Sequence, residues 1–331
     1  MDERDWISAH AFHQGDQDRL IVEAVGPLAT GLAEDGRISG WFFLRYWDGG
    51  PHVRVRLLPA RSEDRPLVTE AVERRFEEFF RAHPSTPVMT ERDYAEGASM
   101  LAAWERTEPL FDSLQPNDTL VHVPYRREHG RYGHGAAIEA VERHFAESSR
   151  LALDLLRQGG PPERRSTAAF AMLVLAWLTC EPDPGRLRDW ISSGTRHFEN
   201  EDVSPNLAPP EPSVRRLRTA VSLARRMRAL AALADQDAGR PGPGALVDWT
   251  RSVAALRDVL RHQAERGALS PPGAGWEGPG GIVTAEPGTS VLTVLDLCAH
   301  LVCNRLAVTL PEEIALRRLA GAAVSELAER T

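Results

Sequence analysis

The stretch WFFLRYWDGGPHVRVRL, residues 41–57, predicts two strands joined by a tight turn. Residues 41–47 are nearly all aromatic or aliphatic, which suits the pleated, half-buried surface of a strand. Asp48, Gly49 and Gly50 supply the turn, because an Asp side chain can bond nearby backbone and glycine tolerates a positive φ. This hairpin is the strongest local signal in the chain, and we expect the rest of the fold to be organised around it.

The residues after the turn alternate between basic and apolar side chains. Strand side chains point to opposite faces in turn, so one face is expected to carry His52, Arg54 and Arg56 and the other Val53, Val55 and Leu57. A solvated strand face also carries arginines. Periodicity alone therefore leaves a solvent-facing and a functional interpretation open.

Composition limits the class of protein. The chain has 331 residues with ordinary hydrophobic and charged content, enough for a globular fold with a real core. A net charge of −8 argues against a nucleic-acid binder that relies on overall basicity. The acidic start MDERDW lacks an apolar signal segment, and the longest apolar run, residues 168–180, is too short to span a bilayer. Sparse cysteines at positions 180, 298 and 303 give no disulfide framework, so we expect a cytoplasmic protein with no membrane contact.

Element order favours the α+β class. Strands are predicted early, at residues 5–13, 41–57 and 119–125, and amphipathic or apolar helices dominate after residue 136. We therefore expect an N-terminal antiparallel or mixed sheet with a hairpin, packed by helices, and a mainly helical C-terminal half. A single domain, 1–331, is expected to carry a helical insertion at about 64–116, where Thr90 and Asp93 are spaced like a capping box. Residues 270–290 form a long loop without periodicity, which is typical of a mobile or functional segment.

Candidate chemistry lies in four places, one of which is the loop at 270–290. Besides the hairpin arginines, Glu128 and Arg131 lie in the loop REHGRYGHG, and His300 lies on an apolar helix with Asn304 one turn further on the same face. Guanidinium groups suit carboxylates, and a histidine can transfer protons near neutral pH. A lone histidine on an apolar helix is nevertheless more often a core residue. No HExxH, phosphate-binding loop or GxGxxG in the right context is present, so no metal and no cofactor are expected.

These motifs together resemble a known family. An early WxS strand, the hairpin, PYxxExxRYG before an amphipathic helix, and a C-terminal H-x3-N-R are similar to the thiopeptide-type bacteriocin biosynthesis family. That family is similar to the C-terminal, glutamate-elimination domain of lanthipeptide dehydratases. The resemblance spans the chain from Trp6 to the last helix, and the hairpin together with the ExxRYG loop is its most specific part.

The resemblance implies a β-elimination reaction. Glutamate would be removed from glutamylated Ser or Thr of a ribosomally made precursor peptide, leaving dehydroalanine or dehydrobutyrine. The implied catalytic residues are Arg54, Arg56, Glu128, Arg131 and His300, with His52, Tyr132, Asn304 and Arg305 expected to bind substrate. The implied partners are the precursor peptide, leader plus core, and a companion protein that glutamylates it with glutamyl-tRNA. No direct contact with nucleic acid is expected, and a homodimer is compatible with the resemblance.

Two alternatives stay open at the sequence level. The same family includes thiopeptide pyridine synthases, which join two dehydroalanines by a formal aza-[4+2] cycloaddition and expel the leader peptide. The long segment between Arg56 and Glu128 and the loop at 270–290 favour that alternative, whereas the set of elimination residues favours elimination. The third hypothesis is a non-catalytic scaffold that only captures the leader peptide.

Overall fold

The structure is a computed structural model that describes residues 6–105, 109–199, 212–234, 244–269 and 290–329. The chain divides into two compact units. Unit 1 comprises residues up to 127 together with 152–159, and unit 2 comprises 128–151 together with the residues from 160 onward. Apart from Ser290, the loop expected at 270–290 lies outside the described residues.

Unit 1 is built on a four-stranded antiparallel sheet. Its strands are β1 (Ile7–Phe12), β2 (Ile38–Tyr46), β3 (His52–Pro59) and β4 (Thr119–His122), in the order β2-β3-β1-β4. The antiparallel sheet and the hairpin formed by β2 and β3 are as predicted. The last strand is shorter than expected, because pairing with β1 ends at His122 rather than near residue 125.

Helices surround this sheet. They are α1 (Gln17–Leu20), which continues through a π-helical turn (Ile21–Val25) into α2 (Gly26–Glu34), then α3 (Arg65–Ala82) and α4 (Glu91–Glu105). Helix α3 packs against β1 and β4, and α2 packs against β2. The predicted capping box opens α4: the Thr90 backbone N–H donates to the Asp93 carboxylate (2.9 Å), and the Asp93 N–H donates to the Thr90 hydroxyl (3.2 Å).

The two faces of the sheet differ. Val53, Val55 and Leu57 are fully buried. His122, which lies opposite Ala9 on their face, pairs with Glu73 of α3, so α3 covers the valine face. The other face is called the arginine face here. It carries alternate residues of three strands: Ser8, His10 and Phe12; Phe42, Leu44 and Tyr46; and His52, Arg54 and Arg56.

Unit 2 is helical, as expected for the C-terminal half. Its helices are α5 (His129–Tyr132), most of α6 (Ala136–Gln158), α7 (Pro162–Cys180), α8 (Pro184–Glu199), α9 (Val214–Ala234), α10 (Ala245–Glu265), α11 (Ser290–Arg305) and α12 (Leu310–Ala328). Helix α7 is central, since it packs against α9, α10, α11 and α12 and is buried from Ala169 to Cys180. The chain is therefore an α+β protein.

Arginines of α10 stabilise the C-terminal end of the central helix α7. The last carbonyl groups of a helix have no partner within the helix and need other donors. Arg257 donates to the Thr179 carbonyl oxygen (2.8 Å) and Arg261 to the Cys180 carbonyl oxygen (2.6 Å). The position of α7, against which α11 packs, is thus fixed by polar as well as apolar contacts.

Candidate active site

The turn between β2 and β3 is clamped by residues of the helical segment that follows α3. Gly49 and Gly50 have φ angles of 79° and 105°, which side-chain-bearing residues rarely adopt. The Asp48 carboxylate accepts from the backbone N–H of Leu110 (2.8 Å), and the Gly49 N–H donates to the Tyr94 hydroxyl (3.0 Å). That hydroxyl donates to the Phe111 carbonyl oxygen (2.8 Å). The start of β3, and with it the position of its arginines, is therefore fixed by contacts from outside the sheet.

Arg54 is held by three neighbours on the arginine face. Its guanidinium lies 3.3 Å from the centroid of the Tyr46 ring, at cation–π distance. Its Nε is 3.4 Å from His52 Nε2, and its Nη2 is 3.9 Å from the Asp48 carboxylate. The guanidinium is held in place by these contacts, and the side chain as a whole keeps 19% of its surface exposed.

Arg56 is more deeply buried and contacts a histidine of the neighbouring strand. Its Nη2 lies 3.3 Å from Nε2 of His10. The His10 ring in turn stacks on His52, with ring centroids 4.9 Å apart. These contacts confirm that His52, Arg54 and Arg56 share one face, and they add His10 to it.

Both histidines are neutral partners of the arginines. Burial, followed by the charge of Arg54, lowers the pKa of His52 to about 3, and burial followed by Arg56 lowers the pKa of His10 still further. His52 Nδ1 lies 2.9 Å from the Gly50 carbonyl oxygen, an acceptor, so Nδ1 carries the proton and Nε2 accepts from Arg54. Because Arg56 can only donate, His10 Nε2 likewise accepts. The histidines thus orient the guanidiniums without adding charge.

In unit 2, Glu128 and Arg131 form an ion pair at the start of α5. Arg131 Nη1 lies 2.7 Å from the Glu128 carboxylate, and the glutamate side chain is half exposed. Sequence analysis predicts an irregular loop here, whereas residues 129–132 form one short helical turn that brings positions i and i+3 together. Tyr132 is buried, with its ring edge-on to Phe145 at 5.4 Å.

Arg305 lies in the interior of unit 2. It is fully buried, and its guanidinium is 5.4 Å from the Phe145 ring centroid. Burial lowers its pKa to about 10, although Cys298 and Tyr132 oppose this shift. Asn304, the preceding residue, is half-buried. The predicted substrate-binding roles of Tyr132, Asn304 and Arg305 stay predictions, and the burial of Arg305 requires any such role to act through a neighbour or an opening motion.

His300 on α11 pairs with a residue of α12. Its Nδ1 lies 2.8 Å from the carboxylate of Glu313, which is buried, and the imidazole side chain is 21% exposed. This histidine is therefore not enclosed by apolar side chains alone, and its role in proton transfer stays a prediction.

The structure therefore groups the predicted residues into sets. His52, Arg54 and Arg56 come together in unit 1; Glu128 pairs with Arg131, and His300 with Glu313, in unit 2. Sequence analysis missed His10, whose alternation with Ser8 and Phe12 on a predicted strand was the available signal. It also missed Glu313, for which no local signal exists, because the contact depends on how α11 packs against α12.

Across the ranges that the structure describes, no cluster of three His, Cys, Asp or Glu side chains has the geometry to hold a metal ion. Within the same ranges, no helix combines the length and apolar character that crossing a bilayer requires. The three cysteines are buried free thiols.

Solved structures with the same fold include TbtD, MibB and TsrL. A pyridine synthase from thiomuracin biosynthesis, TbtD, has a TM-score of 0.72 and 19% identity, with 99% of this chain and 100% of that chain covered. The tRNA-dependent lantibiotic dehydratase MibB from Microbispora sp. 107891 has a TM-score of 0.58 and 19% identity, over 98% of this chain but 28% of its own. TsrL has a TM-score of 0.57 and 18% identity, over 98% of this chain and 95% of its own. At these identities the similarity concerns the fold.

Sequence comparison assigns the family. No curated protein sequence is significantly similar to this chain. The family described as lantibiotic biosynthesis dehydratase C-term, in contrast, matches residues 6–324, nearly the whole chain and both units. The chain therefore belongs to the lantibiotic biosynthesis dehydratase C-terminal family.

Proposed function

We propose that the protein eliminates glutamate from glutamylated Ser or Thr residues of a ribosomally made precursor peptide. The observation that carries this proposal is the display of Arg54 and Arg56 on one face of β3, each oriented by a neutral histidine. A guanidinium stays charged at any physiological pH and matches a carboxylate or a developing oxyanion. The substrate of elimination carries both, because the glutamyl group is acidic and the peptide carbonyl gains negative charge as the α-proton leaves.

The reaction transfers one proton and breaks one ester bond. A base takes the proton from Cα of the modified residue, and the electron pair forms the Cα–Cβ double bond. The Cβ–O bond breaks, with its electrons going to the departing glutamate carboxylate. Arginines on the arginine face stabilise the negative charge by a preorganised electrostatic effect. The proton transfer is assigned to His300 with its carboxylate partner by family resemblance. Glu128 and Arg131 are assigned to the same reaction by family resemblance alone.

The substrate defines the partners. A precursor peptide, leader plus core, is the direct partner, and a companion protein must first attach glutamate from glutamyl-tRNA to its Ser and Thr residues. This chain covers 28% of MibB, a tRNA-dependent lantibiotic dehydratase, and the companion protein is proposed from the family resemblance.

A second candidate is a pyridine synthase that forms the central ring by cycloaddition of two dehydroalanines and releases the leader peptide. TbtD, a pyridine synthase, matches this chain end to end with the TM-score of 0.72, which supports this candidate at the level of the fold. The clamp that α4 and residues 110–111 place on the hairpin is consistent with a remodelled site.

Two incubations distinguish these functions. The protein is mixed with a glutamylated precursor, and separately with a precursor that already contains dehydroalanines, and the products are followed by mass spectrometry. Loss of glutamate in the first mixture supports elimination. Leader release with an aromatic macrocycle in the second overturns it in favour of cycloaddition. No change in either, together with measurable leader-peptide binding, makes the protein a scaffold.

A further inference from the structure

His300 belongs to a buried polar cluster that joins three helices of unit 2. Glu313, at the start of α12, accepts a hydrogen bond from His300 Nδ1–H through Oε2 (2.8 Å) and one from Arg317 Nε through Oε1 (2.8 Å). Arg317 Nη1 also donates to Asp296 of α11 (2.6 Å). Trp177 of α7 donates its indole N–H to the same Asp296 oxygen (2.7 Å). Both oxygens of Glu313 are therefore occupied, and the orientation of the carboxylate is fixed.

The charges of this cluster are maintained by its own members. Burial alone would raise the pKa of Glu313, but His300 and Arg317 outweigh it and lower the pKa below its ordinary value. Burial would lower the pKa of Arg317, whereas Asp296 and Glu313 raise it. The nearby Cys303 is a buried thiol whose pKa is raised, so it contributes no charge. The cluster thus brings the carboxylates of Asp296 and Glu313 together with the guanidinium of Arg317.

The hydrogen bond to Glu313 also fixes the tautomer of His300. A carboxylate can only accept, so the neutral imidazole must carry its proton on Nδ1. The lone pair is then on Nε2, at the opposite edge of a ring that is 21% exposed. Within the described residues, Nε2 makes no hydrogen bond with the protein. Of the two ring nitrogens, Nε2 is therefore the one that a substrate can contact.

We propose that Glu313 is the positioning residue for His300. It holds Nδ1–H so that one proton is taken up or released at Nε2, and its charge stabilises the imidazolium while the proton resides there. Nδ1 keeps its own proton throughout, so each transfer moves one proton between Nε2 and the substrate. The inference deepens the proposed function, on which it rests for the identity of His300 as the proton-transfer group.

The test combines a structural and a kinetic measurement on the full chain. Nitrogen-15 NMR of the imidazole is expected to show the Nδ1–H tautomer in the wild-type protein and a mixture of tautomers in Glu313→Ala. With the glutamylated peptide, Glu313→Gln should lower kcat by on the order of 10²-fold and leave KM nearly unchanged, because the amide keeps an acceptor but loses the charge. Glu313→Asp, which retains the charge, should recover part of kcat.

Glu312→Gln is the matched control. Its carboxylate is one residue away on the same helix but bonds the Ser166 hydroxyl, so tautomer and kcat should stay at wild-type values. If Glu313→Gln fails to fold, the proposal is still tested by the kcat of Glu313→Asp and by the tautomer that the wild-type NMR spectrum shows. An Nε2–H tautomer in the wild type, or wild-type kcat in Glu313→Gln, overturns the proposal. A Glu313-dependent tautomer in a protein that eliminates no glutamate overturns the proposed function and leaves the positioning role intact.

Discussion

At the scale of single residues, the arginine face makes a direct prediction. Arg54→Ala removes an oriented guanidinium from a partly exposed side chain, and glutamylated ester should accumulate in place of the dehydrated product. Loss of one preorganised donor of this kind typically costs roughly 10²–10³-fold in rate. The measurement is the rate of glutamate release, followed by mass spectrometry. Full turnover by the variant would contradict the role proposed for the Arg54 side chain.

The control for that variant lies on the opposite face of the same hairpin. Arg45 is paired with Val53 in the strand register, so it belongs to the valine face, where it pairs with Asp18. Arg45→Ala should therefore leave the rate of glutamate release close to wild type. An equal loss of rate in both variants would indicate damage to the hairpin rather than loss of a specific contact.

His52 makes a prediction about pH and stability. Its folded pKa of about 3 lies below the ordinary value of 6.5, so the unfolded chain takes up the proton first as the pH falls. The contribution of this histidine is thus present above about pH 6.5 and is lost as the pH falls toward 3. Between pH 8 and pH 5 the loss amounts to about 2 kcal/mol, at 1.36 kcal/mol per pH unit.

Urea denaturation at both pH values measures this loss. His52→Gln removes the titrating group, so its drop in unfolding free energy should be smaller than the wild-type drop by about 2 kcal/mol. An identical pH dependence in the His52 variant would contradict a neutral His52 in the folded protein.

At the scale of elements, the clamp on the hairpin turn can be tested through Tyr94. Tyr94→Phe removes the hydroxyl that accepts from Gly49 N–H and donates to the Phe111 carbonyl, leaving two backbone groups without that partner. The expected cost is about 1–3 kcal/mol of unfolding free energy. Hydrogen exchange should show faster opening at the Gly49 amide. Ser99→Ala, on the exposed side of the same helix, should change neither the unfolding free energy nor the exchange rate of the Gly49 amide. Unchanged exchange at Gly49 in Tyr94→Phe would mean that the clamp does not stabilise the turn.

Local patterns predicted elements well where the signal is contained in a few neighbouring residues. The period-two alternation of residues 52–57 gave the two faces of β3, and the spacing of Thr90 and Asp93 gave the start of α4. Local patterns do not predict α8 as a separate helix, and they predict a loop where α5 forms one turn of helix. Partners such as His10 for Arg56 and Glu313 for His300 depend on strand pairing and helix packing, which no local pattern encodes.

The charge state of the histidines is also not encoded in the local sequence. A His-x-Arg-x-Arg strand suggests three basic groups in a row. Burial and the neighbouring guanidiniums instead keep His52 uncharged, so that its role is to accept from Arg54. Sequence identifies the residue types and their face, but the charge state follows from the tertiary environment.

At the scale of the whole molecule, the net charge of −8 predicts that elimination proceeds without nucleic acid. The feature that could oppose this is a row of exposed arginines on α9: Arg215, Arg216, Arg218, Arg225 and Arg226. Binding of tRNA through phosphate contacts depends steeply on salt, and a repulsive net charge weakens it further. Fluorescence anisotropy should therefore show a Kd for tRNA weaker than about 10⁻⁴ M at physiological salt. Glutamate release from a purified glutamylated peptide should be unchanged by ribonuclease treatment. Tight binding with a steep salt dependence, abolished by Arg→Glu changes on α9, would instead make this helix a tRNA contact.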